Sequence, residues 1–468
     1  MEIICNPAGV VDEKRPGQGL GDITAAGFDQ VLLSTEFCCD EKKFKSMSQE
    51  RRIAEAEHLI YVPDHPEKLP EAMKPFLEML RQKKMQCDYA LASHLPRDRK
   101  NFELNKTIIP IVEGAVRLAV QNGCKGIIVR PLYAGVDVDE EWEVNKPYLL
   151  RLGEVAREEL QALETGVGSG SSKTTQAGSK SDSTEAAQKH FQILVENQCK
   201  YQEGHLVRGI LSDPADVREW MTELQSAFAS SVDATGAGEQ SDDEVQIEYK
   251  LCMNVGSLSV YGQDIYEYTM AVADYIGAVI VHDGSNADEV SMVPFTSVSS
   301  TGQLTQWIEI IRGLRSISYD GPLILDMEHA AKFCPPLLRP DLMKFAKRTM
   351  DYLVWQIHMA DAMKKYDHIV LFGAGNMCRN YLTNYGKEYP PLFTCDNNPN
   401  RWGEDFYGLR IESPEKLRDL PENTGVFICN VYYREIQKQL EEMGITEGVE
   451  FFNDEYLQSL NMERLRGL

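Results

Sequence analysis

One pattern constrains this sequence more than any other. Short, near-continuously apolar runs alternate with longer segments of helical period along most of its length. Runs at 27–34, 88–94, 126–130, 191–197, 250–255, 278–283 and 322–326 read as strands, with a shorter one at 2–6 as the first. Segments at 69–83, 105–121, 147–162, 214–228, 265–276, 304–314 and 341–364 carry the spacing of helices. In 105–121, for example, Ile108, Ile111, Val112, Ala115, Leu118 and Ala119 recur at intervals of three and four. Strands that are apolar on both faces need cover on both faces, which points to a parallel sheet with crossover helices. About eight such units fit within residues 1–345, and a (β/α)8 TIM barrel closes them without leaving an edge.

After Tyr366 a second, smaller unit begins. A strand at 368–372 runs into Gly373-Ala374-Gly375-Asn376, then a helix at 378–385. Strands at 392–396 and 425–429 and a helix at 434–443 follow. This reads as a Rossmann-like parallel α/β domain over 366–468, joined to the barrel by a helix at 346–365. Two stretches, 165–187 and 230–244, are rich in Gly, Ser, Thr and charge and read as solvated insertions.

Composition excludes several classes. The chain of 468 residues carries 48 Lys and Arg against 72 Asp and Glu, a net charge of −24. Such a balance argues against a nucleic-acid-binding protein and against docking on an anionic membrane. It leaves room for a small anionic ligand, since a local site can be positive inside an acidic envelope. The eleven cysteines are an odd number without a C-x-x-C pair, and several stand in apolar runs, so buried reduced thiols are expected. No secretory signal is visible in the first 16 residues. The most apolar stretch, 270–281, is broken by Asp274, so a soluble cytoplasmic protein without a membrane span is expected, homo-oligomerisation being left open.

In a (β/α)8 barrel the chemistry stands at the carboxyl ends of the strands. Those positions here hold His94, Arg130, Glu196 with Asn197, Asn254, His282 with Asp283, and Asp326 with Glu328 and His329. Carboxylates and imidazoles on one rim are the ingredients of a divalent-metal site or of an acid–base pair. Each residue taken alone reads as readily as a cap, an ion-pair partner or a hydrogen-bonded structural group.

Residues 20–330 resemble the xylose isomerase-like TIM-barrel family of sugar phosphate isomerases and epimerases. The resemblance is carried by Ala25-Ala26-Gly27-Phe28-Asp29-Gln30-Val31, Leu194-Val195-Glu196-Asn197, Tyr261-Gly262-Gln263-Asp264 after Val255-Gly256, and the run from Ser318 to Asp326. It implies a metal site on Glu196, Asn254, His282 and Asp326, holding Mn, Mg, Co or Zn. It further implies that Glu196 and Asp326 move the proton beside a carbonyl, and His94 and Arg130 are expected at the substrate. The sequence departs from the family at two places. Asn254-Val255-Gly256-Ser257 stands where Asp-x-Gly-His is usual, and the final Glu is the shorter Asp326. With one anion and one imidazole fewer, a hard cation binds more weakly, unless Glu328 or Asp283 compensates.

Residues 366–457 resemble small nucleotide-binding domains found with sugar-modifying and polysaccharide enzymes. The carriers include Phe372-Gly373-Ala374-Gly375-Asn376, Asp396-Asn397-Asn398-Pro399, Trp402-Gly403, the run from Gly408 to Leu417 and Tyr432-Tyr433-Arg434-Glu435-Ile436. The resemblance implies a nucleotide sugar or NAD. Phosphates would lie at the helix after Gly373, Gly375 and Asn376, a ribose at Asp396, and Asn430 and Tyr432 would line the cleft. Two expectations result: a sugar isomerase or epimerase, or a catalytically degenerate barrel that binds a nucleotide sugar in polysaccharide biosynthesis.

Overall fold

In a computed structural model, the structure describes residues 1–11, 16–35, 69–94, 102–134, 137–165, 190–202, 205–234, 245–260, 262–284, 290–299, 302–303 and 305–452. The chain divides into two compact units, Met1–Tyr352 and Leu353–Leu468. Most of both expected insertions lies outside the described residues, although the helix Pro214–Ala234 continues over the first residues of the second. The long helix expected at 341–364 starts earlier, at Arg339, and ends at Ile357; a short helix, Met359–Met363, follows after His358.

In the first unit nine strands form one sheet. Their spatial order is Gln30–Val31, Ile3–Cys5, Leu323–Leu325, Ile276–Val281, Gln246–Asn254, His190–Glu196, Gly126–Val129, Tyr89–Leu91 and Leu33–Ser34. Every neighbouring pair is parallel. The two end members are separated in sequence by Leu32 alone. Gln30 and Val31 pair with Ile4 and Cys5, while Leu33 and Ser34 pair with Ala90 and Leu91. One segment therefore carries both edges, and the sheet closes as a barrel of eight strands with one interruption. The run expected as a strand from residue 27 begins instead with a turn, where Gly27 adopts φ +97, a conformation open to glycine.

The barrel interior is a buried layer that includes Ile4, Leu32, Leu91, Ile128, Leu194, Cys252, Ile280 and Ile324. Side chains alternate between the two faces of a strand. Two residues further on, the same inward face is reached by Asn6, Ser34, Ser93, Arg130, Glu196, Asn254, His282 and Asp326. An apolar plug thus underlies a polar layer at the carboxyl ends. Cys252 in the plug and Cys5, on the opposite face of its strand from Ile4, are both buried thiols: burial pushes them far above the usual thiol range, with Glu196 and Asp326 respectively adding to the shift. Such thiols are poor nucleophiles. Of the eleven cysteines, Cys38 and Cys39 lie outside the described residues, and none of the other nine is joined in a disulfide.

The helix expected at 147–162 runs from Val138 to Thr165, with Pro147 inside it. Proline is favoured in a first turn, which made it look like a start. The actual start is set by Asp137, whose Oδ1 accepts from the amides of Asp139 and Glu140 at 2.8 and 3.3 Å. Between strand His190–Glu196 and its helix stands a hairpin that the periodicity did not reveal, Cys199–Gln202 against His205–Arg208. Its Lys200 reaches Glu141 on the long helix at 3.3 Å, and both side chains are 4% exposed. Beside that pair Trp142 stacks on Trp220, ring centroids 4.7 Å apart.

The second unit holds a six-stranded sheet in the order Asp405–Phe406, Leu409–Glu412, Thr394–Cys395, His368–Phe372, Thr424–Ile428 and Val449–Phe451. Five of these strands are parallel. The sheet is nonetheless mixed rather than all-parallel, because Asp405–Phe406 folds back on Leu409–Glu412. The loop is Tyr407-Gly408, both with positive φ (+52 and +86), the geometry of a two-residue hairpin turn matched to strand twist. Alternation along His368–Phe372 builds two cores. Ile369 and Leu371 pack with Met377, Tyr381 and Phe452, whereas Val370 and Phe372 pack with Phe393, Ile436 and Leu440. Helices therefore cover both faces. Among the described residues, no helix is long and apolar enough to cross a membrane.

Candidate active site

The ring order brings the expected site residues together. His94, Arg130, Glu196, Asn254, His282 and Asp326 follow six strands that are consecutive neighbours in the barrel, so they form one arc of its mouth. Glu196 is fully buried at its centre. Its Oε2 accepts from Arg130 Nε at 2.8 Å, and its Oε1 accepts from Asn254 Nδ2 at 2.8 Å. Arg130 also donates through Nη1 to His94 Nε2, which makes that nitrogen an acceptor. Asn254 is held from three sides. Its Oδ1 accepts from the Ser257 amide at 3.0 Å, its amide donates to Asn197 Oδ1 at 2.6 Å, and its carbonyl accepts from Asn197 Nδ2 at 3.3 Å. The amide orientation of Asn254 follows from this, since the Ser257 N–H requires an oxygen. Asn197, noted in the sequence only as the neighbour of Glu196, thus positions the residue that positions Glu196.

The other half of the arc is tied mainly to backbone. His282 Nδ1–H donates to the Asp283 carbonyl at 2.9 Å, which leaves Nε2 as the acceptor nitrogen of that ring. Asp326 Oδ1 accepts from the Glu328 amide at 3.1 Å. Asp283, considered in the sequence as a compensating acid, serves a loop instead. Its Oδ2 accepts from the Thr296 and Ser297 amides at 2.7 and 2.8 Å, and its Oδ1 from Trp307 Nε1 at 2.9 Å. His329 Nδ1 accepts from the Ser291 amide at 3.1 Å.

A divalent ion was expected on Glu196, Asn254, His282 and Asp326. As placed, these residues do not fit one. A hard cation needs several oxygen ligands pointing at one spot. Both Glu196 oxygens face nitrogen donors, the Asn254 oxygen faces a helix amide, and the nearest charge to the carboxylate is a guanidinium. Among the described residues, no three His, Cys, Asp or Glu side chains converge closely enough to hold an ion.

Gly256 has a role that the sequence did not signal. A Cβ there would stand 2.0 Å from His282 Cε1 and 2.3 Å from its Nδ1, so the imidazole lies on the bare glycine. Gly256→Ala is expected to displace His282 and cost about 1–3 kcal/mol, as overpacking of a filled interior does. Urea denaturation and the imidazole resonances of His282 by NMR measure the two effects; an unmoved resonance would show that the ring does not depend on the glycine.

In the second unit the glycine loop joins two strand ends. Gly373 has φ +122, and a Cβ on it would meet the Cys429 carbonyl oxygen at 2.6 Å. Gly375 precedes the helix Asn376–Asn384, and a Cβ there would meet nothing within 4 Å. Asp396 accepts from the Ala374 amide at 3.3 Å and the Asn398 amide at 2.9 Å, with Arg401 at 3.5 Å. Its carboxylate therefore ties the first loop to the second. Asn430 Oδ1 accepts from the Tyr432 amide at 3.0 Å, and the Tyr432 ring is exposed.

Residues 365–448 match the family model described as C2185-like, N-terminal. No curated protein matches the chain. The solved structures similar to it include a D-tagatose 3-epimerase-like protein, at 13% identity over 76% of this chain and 100% of the other, with a TM-score of 0.43. They also include an E. coli 3-keto-D-glucoside 4-epimerase in its apo form, at 12% identity over 76% and 99%, TM-score 0.40. A third is a xylose isomerase-like TIM-barrel protein from Mycobacterium smegmatis in complex with magnesium, at 12% identity over 77% and 97%, TM-score 0.40.

Proposed function

We propose that the barrel unit binds a sugar at its mouth and moves a proton beside the sugar's carbonyl, isomerising or epimerising it. The observation that carries this reading is the fully buried Glu196, held in a fixed orientation at the centre of a continuous polar arc on the carboxyl ends of the strands. A carboxylate so oriented is suited to take up a proton from a carbon acid, and Asp326, two strands beyond Asn254, returns one. Arg130 meets the substrate oxygen, and His94, whose Nε2 accepts from it, holds the guanidinium in place. N–H donors aimed at an oxygen that gains charge stabilise the enediolate in a site shielded from water. In the proposed step the substrate C–H bond breaks, its electron pair forms the C=C bond of the enediolate while the carbonyl π pair moves onto oxygen, and Glu196 takes the proton. Asp326, in its acid form, gives its own proton to carbon as the carbonyl reforms, and exchange with solvent returns both carboxyl groups to their starting states.

The test is incorporation of solvent deuterium at carbon, followed by NMR, with pentoses, hexoses and their phosphates as probes. Incorporation is expected with at least one sugar, and Glu196→Gln is expected to abolish it while leaving the fold intact. Incorporation that survives Glu196→Gln would overturn the assignment of the base.

For the second unit the proposed ligand is a nucleotide sugar, with NAD as the competing dinucleotide. Numbered in chain order, its parallel strands stand 3-2-1-4-5, the order of doubly wound nucleotide-binding sheets. The open ground above Gly375 at the start of the helix suits a phosphate. Thermal shifts with UDP-glucose and with NAD are expected to show stabilisation by the former, lost in Gly375→Trp.

A second reading, a barrel that binds without turnover, is favoured by one observation: both oxygens of Glu196 are engaged by the protein's own donors. It calls for stabilisation by a nucleotide sugar with no deuterium incorporated from any probe.

A further inference from the structure

We propose that the Arg130 guanidinium is the resident cation of the barrel mouth, taking the place of a divalent ion beside Glu196, so that this rim works without metal. The strongest support is the chain of donors and acceptors that runs His94, Arg130, Glu196, Asn254, Ser257 across four neighbouring strands. Each link is directional, and none offers an oxygen to a cation. Glu196 receives one N–H on each oxygen. Asn254 turns its nitrogen toward the carboxylate and spends its oxygen on the helix that starts at Val255.

The charge arithmetic agrees with this reading. A fully buried carboxylate requires a compensating positive charge close by, and Arg130 Nε supplies it at 2.8 Å. A divalent ion in the same place would add two positive charges beside a guanidinium that cannot lose its proton. To admit the ion, Arg130 would have to leave the carboxylate and Asn254 would have to turn over, which would strand the Ser257 amide. Guanidinium also differs from a metal in what it recognises. It meets ligand oxygens through planar N–H donors and imposes no coordination number, so it favours a carbonyl or an anionic group approached edge-on.

The residues that depart from the metal-site pattern fit one substitution. Asn254 stands where a second carboxylate would be, so the Arg130–Glu196 pair is balanced without a further negative charge. Ser257 stands where an imidazole would be, and its backbone amide fixes Asn254.

The test needs no turnover, so its outcome is separate from that of the isomerase reading. The full-length protein, stripped with EDTA, is titrated with MnCl2 and with MgCl2 by calorimetry, and its melting temperature is compared with and without each ion. The expected result is no metal bound at the rim and no shift in melting temperature. Binding of one Mn²⁺ or Mg²⁺ per chain that disappears in Glu196→Gln would overturn the proposal. A second measurement stands beside it. Arg130→Met and Glu196→Gln are each expected to lower the melting temperature, and the double variant is expected to recover part of the loss, because neither charge is then left alone. Strictly additive losses would overturn the proposal equally. Should Arg130→Met not fold, the titrations of the wild type and of Glu196→Gln still decide.

Discussion

Arg130→Met is expected to lower the stability of the barrel by about 3 kcal/mol, the scale on which a buried ion pair fails when one partner is removed. The physical reason is asymmetry. The Glu196 side chain is 0% exposed and that of Arg130 19%, so the pair sits at a boundary where the acid has lost its water and the base has kept some. Removing the guanidinium leaves a desolvated carboxylate with the Asn254 amide at 2.8 Å but without the positive charge at its other oxygen. Methionine keeps most of the packing volume, so the loss reports charge rather than a cavity. Urea denaturation measures it. A loss below about 1 kcal/mol, the level of solvent-exposed pairs, would show that water screens this one.

Lys200→Met is expected to cost a similar amount, about 3–5 kcal/mol, through a second buried ion pair. Lys200 lies on the hairpin that interrupts the fifth βα unit, and its ammonium reaches Glu141 with both side chains 4% exposed. Glu141 belongs to the first turn of the helix Val138–Thr165, one residue before Trp142. The pair therefore pins the hairpin onto that helix beside the Trp142–Trp220 stack. Two outcomes are expected together: a lower midpoint in urea read by tryptophan fluorescence, and faster amide exchange over the hairpin. In Lys200→Met/Glu141→Gln most of the loss should return, since an absent pair costs less than half of one. A double variant as unstable as the single would assign the effect to packing of the lysine stem instead.

Much of this architecture is legible in the residues themselves. Continuous apolar runs such as Gly126–Val129 and Leu323–Leu325 announce strands covered on both faces, and Ile108 to Ala119 announces a helix with one buried stripe. The same local rule locates the polar arc, because two steps along a strand return to the same face. Leu194 in the core thus implies Glu196 above it, and Cys252 implies Asn254. What stayed hidden has local causes too. Pro147 resembled a helix start because proline fits a first turn, and only the Asp137 cap shows where the helix begins. The hairpins around Gln202 and around Tyr407-Gly408 are too short for periodicity to register. The role of Gly256 depends on an imidazole at the end of the neighbouring strand, and a lone glycine gives no sign of what lies on it.

By itself, then, the sequence determined a repeated strand–helix barrel, a separate α/β unit with a glycine loop after its first strand, and six polar residues at six strand ends. These depend on neighbours a few positions away, through pleat and helical period. Only the tertiary structure decided how those residues spend their hydrogen bonds. Arg130 and Glu196 are 66 residues apart, and Glu196 and Asn254 58. Their meeting depends on the order and register of strands around a closed sheet. The same carboxylate reads in the sequence as a metal ligand and stands in the fold as the partner of a guanidinium, because register, rather than residue type, sets which donor reaches a buried oxygen.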